Sequence, residues 1–215
     1  MIGTLAMGGA HAAPGGGPVF SDTFTDTAGT LIAAHTPEVG TWTNGSGNLE
    51  IGTGGATLVA DSTGYFHFAG FDVGQRDCTI EFDYFHNGTR QYAAFVCAHD
   101  TPSAWYTDAT KRALEVRIGP TQTIITKWGN SADPAANVLV YGTTYTTILD
   151  TVVPVVIGIA DTTITVSVNG NEVLNHTLSS GVAAEVAGNT WAGLGAHRGS
   201  GTAGSYFDNL VVTPT

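Results

Sequence analysis

Periodicity constrains this chain more than any other feature. From Phe20 onward, short runs alternate polar and apolar residues with a period of two. Examples are Asp22-Thr23-Phe24-Thr25, Asn48-Leu49-Glu50-Ile51, Thr57-Leu58-Val59-Ala60 and Tyr65-Phe66-His67-Phe68. Turn residues separate them, as at Asn44-Gly45, Gly54-Gly55 and Ser62-Thr63-Gly64. A period of two places successive side chains on opposite faces of a strand. A helix instead needs apolar residues every 3.6 positions, and no window of about a dozen residues keeps that spacing. Further strands are expected at 113–118, 121–128, 138–145, 153–160, 191–197 and 206–212, with short helical turns at 109–113 and 182–186. Roughly twelve to fourteen short strands predict an all-β chain built as a two-sheet antiparallel sandwich, because one open sheet would leave an apolar face in water.

Two turns suggest a register. Asn-Gly favours positive φ at both central positions of a two-residue hairpin. At Asn87-Gly88 such a turn sets Ile80 opposite Phe95, Phe82 opposite Ala93, and Cys78 opposite Cys97. At Asn169-Gly170 it sets Val166 opposite Val173, with Ile164, Val166 and Val168 facing the core. These are the only two cysteines. Facing residues are close enough to bridge, with Cα atoms about 4.5–5.5 Å apart. The hydrogen-bonded position is the less accommodating one, and the pair shares a face with Ile80, Phe82 and Phe95. Buried free thiols are the expectation, with a bridge as the alternative.

Charge narrows the function classes. Of 215 residues, seven are Lys or Arg and eighteen are Asp or Glu, a formal net charge of −11. Nucleic-acid binding and docking on an anionic membrane both need clustered cations, which this chain lacks. No run of about eighteen apolar residues is present to insert in a membrane. Hydrophobic residues make up 42% of the chain, which argues against disorder. Abundant Thr and 29 Gly suit strands and turns better than helices. Residues 1–17 form a separate Gly-rich arm, and 18–215 the sandwich. Ala10-His11-Ala12 imitates a signal cleavage site, but no basic segment precedes it and glycines interrupt the apolar run, so a signal peptide is not expected. Ile2, Leu5, Ala6 and Met7 are apolar among those glycines. The arm is either a tail or an assembly device that adds to a neighbour's sheet edge.

The phrase Phe20-Ser21-Asp22-Thr23-Phe24-Thr25-Asp26-Thr27-Ala28-Gly29-Thr30-Leu31, followed by Ala34-His35-Thr36-Pro37-Glu38-Val39-Gly40-Thr41-Trp42, resembles concanavalin A-like (LamG-like) jelly rolls. The hairpin from Ile164 to Val173 and the closing Tyr206-Phe207-Asp208-Asn209-Leu210-Val211-Val212 are similar to the same superfamily. In a short Gly-, Thr- and Ala-rich chain, the opening phrase resembles versions carried by tailed bacteriophages as virion components.

The resemblance implies several tests. Glucanases of this fold resemble one another in three carboxylates on alternating strand positions. Here Glu81 and Asp83 share a face, but Phe85 and His86 follow where the third acid belongs. A lone pair of this kind is expected to be solvated surface, and no catalytic residue is assigned. Gly-x-Ser-x-Gly, His-Glu-x-x-His and phosphate-loop motifs are absent, and the seven histidines lack ligand spacing. Carbohydrate-binding jelly rolls often hold a structural calcium between acids near each terminus; Asp22 and Asp208 occupy comparable places, the alternative being turn or surface residues. Trp105, Tyr106 and Trp128 fall in or beside expected loops, where they either stack on sugar rings or cap the core. Trp42 and Trp191 read as core residues.

The resulting expectation is a non-enzymatic structural protein of a tailed-phage virion, on the tail tip or as capsid decoration. It is assembled in the bacterial cytoplasm, and its partners are other virion proteins in symmetric multi-copy array and a host-cell glycan. The alternative is a carbohydrate-binding module of a secreted bacterial protein, and a third reading is a glycan hydrolase. No cofactor is expected beyond the calcium.

Overall fold

The computed structural model describes residues 16–46, 49–58, 66–86, 93–99, 112–128, 138–146, 148–197 and 205–215. Fifteen strands lie among them: β1 Phe20–Asp22, β2 Thr43–Ser46, β3 Leu49–Gly52, β4 Gly55–Leu58, β5 Phe66–Asp72, β6 Cys78–Phe85, β7 Ala93–His99 and β8 Ala113–Ile118. They continue with β9 Thr123–Trp128, β10 Val138–Tyr141, β11 Val152–Ala160, β12 Thr163–Val168, β13 Asn171–Thr177, β14 Trp191–His197 and β15 Tyr206–Pro214. One helix, α1 (Ser180–Val186), follows the N-cap Ser179, whose side chain accepts the Val182 N–H, and it buries Ala183 and Val186. The expected helical turn at 109–113 falls mostly outside the described residues, and Ala113 itself opens β8. Among the described residues no helix is long and apolar enough to cross a membrane.

The strands form two antiparallel sheets. One has eight strands in the order β13-β12-β11-β6-β15-β4-β3, with β1 also paired to β15. The other has seven, in the order β10-β9-β8-β7-β14-β5-β2. Alternation does what the sequence predicts. Ile80, Phe82 and Tyr84 on β6, and Ile157, Val166, Phe207 and Val212 on β11, β12 and β15, meet Leu114, Val116, Ile118, Ile125, Phe71 and Leu194 of the other sheet. Each of these buried side chains contributes roughly 1.5–3 kcal/mol of transfer free energy. The expected sandwich is therefore the observed architecture.

The Asn169-Gly170 turn forms as expected, with φ of 51° and 75°. Near the turn Val168 pairs with Asn171 and Ser167 with Glu172. A bulge then shifts the register, so Val166 faces Leu174 rather than the expected Val173. Val173 and Leu174 are consecutive yet both buried, because the bulge turns the two residues inward together.

The Asn87-Gly88 hairpin does not form. β6 lies in the eight-stranded sheet between β11 and β15, while β7 lies in the seven-stranded sheet between β8 and β14. Ile80 pairs with Ile157 and Val212, and Phe95 pairs with Val116 and Leu194. Turn preference is local; here it loses to an arrangement in which each strand is hydrogen-bonded along both edges within its own sheet. The cysteine pairing falls with it, since Cys78 pairs with Ile159 and Pro214, and Cys97 with Leu114 in the other sheet. Cys78 is a buried free thiol, pushed up to about 12 by burial and then by the neighbouring Asp77 charge. The Cys97 side chain lies outside what is described.

Candidate functional site

The opening motif folds into one hydrogen-bonded cluster. Phe20 of β1 stacks on Phe71 at 3.9 Å between ring centroids, and Trp42 meets Phe71 edge-on at 5.4 Å. This packing holds the indole N–H against Asp22, whose Oδ2 accepts it. Asp22 is fully buried. Its Oδ1 accepts the Phe24 N–H at 2.6 Å and lies 2.9 Å from His35 Nε2. His35 Nδ1 in turn lies 3.2 Å from Asp26 Oδ2. An imidazole donates from both nitrogens only when protonated. Burial disfavours that cation, yet the hydrogen bonds and charges of Asp22 and Asp26 outweigh it and hold His35 above its ordinary value.

This geometry gives the expected calcium no support at Asp22. Both Asp22 oxygens face donors, and calcium needs six to eight free oxygen ligands. Asp208 lies opposite Asp83 at the bulge in β15, and its own Oδ1 accepts the Asn209 N–H at 2.9 Å. Burial, then the like charges of Asp83 and Asp22, push its carboxyl up. Among the described residues, no group of three or more His, Cys, Asp or Glu side chains is placed to hold a metal. Glu81 and Asp83 do point outward from β6, with Glu81 exposed and Asp83 accepting the Asn209 amide at 2.9 Å.

A different cluster emerges on the seven-stranded sheet. Leu114, Val116 and Ile118 of β8 face the core, so Ala113, Glu115 and Arg117 share the opposite face. On β9 the same face receives Thr126 opposite Glu115, and Trp128 opposite Ala113. Glu115 is fully buried there. Arg117 grips it with two prongs, Nε to Oε1 at 2.6 Å and Nη2 to Oε2 at 3.1 Å. Trp128 donates its indole N–H to Glu115 Oε2, and the Arg117 guanidinium lies 5.6 Å from the Trp128 ring centroid. Burial raises the Glu115 carboxyl, while Arg117 and Trp128 pull it part of the way back.

Thr126 is 1% exposed, and its hydroxyl has no partner among the described residues. On β5, four strands from β9 in the same sheet, the Phe68 ring lies against Gly70 and Gly193; a Cβ on Gly193 would stand 2.6 Å from Phe68 Cε2. Phe68, Glu115, Thr126 and Trp128 are all buried yet none belongs to the core between the sheets. The seven-stranded sheet therefore carries a second buried layer, and this one is polar at its centre.

Of the expected carbohydrate contacts, Trp128 is 5% exposed and engaged by Glu115 and Arg117, so it is not an open stacking platform. Trp128 closes β9, within the strand expected at 121–128, and its side chain turns onto the outward face against Glu115 and Arg117. Trp105 and Tyr106 lie outside the described residues, as do the arm residues Ile2, Leu5 and Met7. Trp42 is buried as expected, and Trp191 is half-buried. The sequence reading passed over Glu115 and Arg117. The available signal was an acid and a base two residues apart in an otherwise apolar strand.

No family model matches this sequence, and no curated protein matches it. Solved structures do match the fold. A Crh5 transglycosylase in complex with NAG superposes with a TM-score of 0.61 at 15% identity, covering 93% of this chain and 86% of that one. SCLam, a non-specific endo-β-1,3(4)-glucanase from family GH16, gives 0.61 at 11% identity, covering 92% and 91%. The carbohydrate-binding module CBM66 from Bacillus subtilis gives 0.52 at 15% identity, covering 80% and 94%. At these identities the likeness establishes the jelly-roll sandwich. It also corrects the expectation of a non-enzymatic chain, which rested on a missing third carboxylate. Structures sharing this fold over about nine-tenths of the chain are named as a transglycosylase and a glucanase, so the architecture gives no ground for excluding catalysis.

Proposed function

We propose that this chain is a carbohydrate-binding jelly-roll domain whose glycan is held on the outward side of the seven-stranded sheet at the half-buried Arg117, with Glu115 and Thr126 in the buried layer beneath it. The observation that carries the reading is the Thr126 hydroxyl, buried beside the Glu115 carboxylate and without a partner among the described residues. An unsatisfied buried hydroxyl costs about 1–3 kcal/mol, so the layer beneath Arg117 is kept polar at a cost to stability. A half-buried guanidinium beside it supplies planar donors of the kind that hold sugar oxygens. The names of the fold's neighbours, a glucanase and a carbohydrate-binding module among them, support the same class of ligand.

The test is titration with β-1,3- and β-1,4-linked gluco-oligosaccharides and with chito-oligosaccharides, read by tryptophan fluorescence. The near-isosteric Thr126→Val is expected to weaken binding about tenfold. Lack of binding by the whole panel would remove the reading.

Glycan processing is a second reading, favoured by the raised Glu115 carboxyl. A carboxyl raised by burial is the kind of group a glycosidic oxygen needs as acid. Binding is put first because glycosidases use two carboxylates, about 5–5.5 Å or 6.5–9.5 Å apart. The cross-strand partner of Glu115 on β9 is Thr126. Glu115→Gln abolishing oligosaccharide cleavage while sparing binding would bring this reading forward.

The setting is a separate proposal. The phrase that resembles virion proteins is accounted for by the Asp22, His35 and Trp42 cluster, which is a feature of folding. Placement on a phage particle, with virion proteins as partners, rests on that resemblance alone, and secretion as a module is the other setting. Peptides of this chain in purified particles, sought by mass spectrometry, test the first.

A further inference from the structure

The two sheets end side by side at β10 and β13, and a cavity of about 290 Å³ opens between these edges. Its floor is backbone. The Thr143 N–H and hydroxyl both donate to the Val173 carbonyl, at 2.9 and 3.0 Å, and the Gly142 N–H donates to the Thr123 carbonyl at 2.8 Å. Gly142 is required there, since a Cβ would stand 2.8 Å from the Val173 carbonyl oxygen. Its walls carry Tyr141, Glu172 and Asn175. Tyr141 is 59% exposed, the most open of the exposed large hydrophobic side chains among the described residues.

The bulge in the β12–β13 pairing sets the chemistry of this wall. In a regular strand, residues three apart point to opposite faces. The bulge turns Val173 and Leu174 inward together, which brings Glu172 and Asn175 to the same outward side. They are close enough for Asn175 Nδ2 to approach Glu172 Oε1 at 3.5 Å. That contact leaves the second Glu172 oxygen and the Asn175 carbonyl available as acceptors beside an exposed aromatic ring. A pyranose has the matching parts, an apolar C–H face for the ring and adjacent hydroxyl donors for the acceptors. The volume falls near the lower end of the range for small-molecule sites, about 300–1,000 Å³. A carboxylate at the rim of a chain with net charge −11 disfavours anionic sugars.

We propose that this cavity binds one neutral hexopyranose at the end of a glycan chain, at a site separate from the sheet face. The proposal extends the glycan-binding reading, and it rests on that reading only for the class of ligand. The test is titration of isotope-labelled full-length protein with methyl β-glucoside, methyl β-galactoside and methyl α-mannoside, followed by amide chemical shifts. At least one glycoside should shift the amides of 141–143 and 172–175, with a dissociation constant on the order of 1 mM. Tyr141→Ala should weaken that binding about tenfold and Glu172→Gln several-fold, whereas Thr126→Val should leave it unchanged.

Absence of shifts at these amides with all three probes overturns the site. So does an undiminished response in Tyr141→Ala, whose exposed position leaves the fold intact. Shifts confined to the surroundings of Glu115 and Thr126 overturn this site while upholding the sheet-face reading. Edge shifts in a protein whose Thr126→Val variant binds oligosaccharides unchanged do the reverse.

Discussion

Replacing Asp22 by Asn changes one atom of the side chain and should expose how the opening motif stabilises the fold. The two Asp22 oxygens serve three donor groups: the Phe24 N–H, the Trp42 indole N–H and His35 Nε2. An amide offers one acceptor oxygen, so one side must present NH2 to a donor. If its oxygen keeps Phe24 and His35, the amide nitrogen meets the Trp42 N–H, and both donors are left buried and unsatisfied. The charge that holds His35 protonated is lost as well. Breaking a buried charged arrangement of this kind costs about 3–5 kcal/mol, a large part of a typical total of about 5–15.

Urea unfolding followed by far-UV circular dichroism should show the midpoint falling by more than about 1 M. Trp42→Phe, which removes only the indole donor and its ring area, serves as the comparison. The pH dependence supplies a second readout. His35 is raised above 6.5 in the fold, so its contribution is complete below 6.5 and is lost as pH rises through the folded value. Wild-type stability should carry a declining component above 6.5 that Asp22→Asn flattens. A variant within about 1 kcal/mol of wild type, with an unchanged pH profile, would refute the account of this cluster.

Further consequences follow from the second layer and the core. Glu115 is raised above 4.5, so its contribution to stability is complete below 4.5 and is lost as pH rises through the folded value. Arg117→Met removes the opposing cation, so that decline should steepen and extend to higher pH in urea titrations at several pH values. Gly193→Ala drives a methyl into the Ala69 carbonyl and the Phe68 ring, and should lower stability by at least about 1–3 kcal/mol, measured by thermal unfolding. In a Cys97→Ser background, the Cys78 thiol should ignore a disulfide reagent at pH 8 until denaturant is added, because burial holds it near 12.

The separation between legible and hidden features follows the range of the interactions. Strands such as β8 and β12, and the Asn169-Gly170 turn, are specified by alternation and positive φ within a few residues, so they read directly from the chain. The failed Asn87-Gly88 hairpin has the same local signal. What decides against it is that β6 finds β11 and β15, which begin 67 and more than a hundred residues later than its last residue, a choice no local window contains. Alternation with Leu114, Val116 and Ile118 places Glu115 and Arg117 on the face away from the core, but nothing in that pattern shows that Glu115 is buried there too.

The sequence by itself determined that this chain folds into short antiparallel strands, that Trp42 and the alternating Ile164, Val166 and Val168 are buried, and that the chain lacks the clustered cations that nucleic-acid binding needs. Those properties depend on side-chain period, transfer free energy and net charge. Only the tertiary structure decided which strands share a sheet, that Asp22 meets His35 and Trp42, and that Glu172 and Asn175 meet beside Tyr141. These depend on pairings between distant segments and on a single bulge. One inserted residue reverses which side chains face water, and nothing in the composition of the strand reveals where it falls.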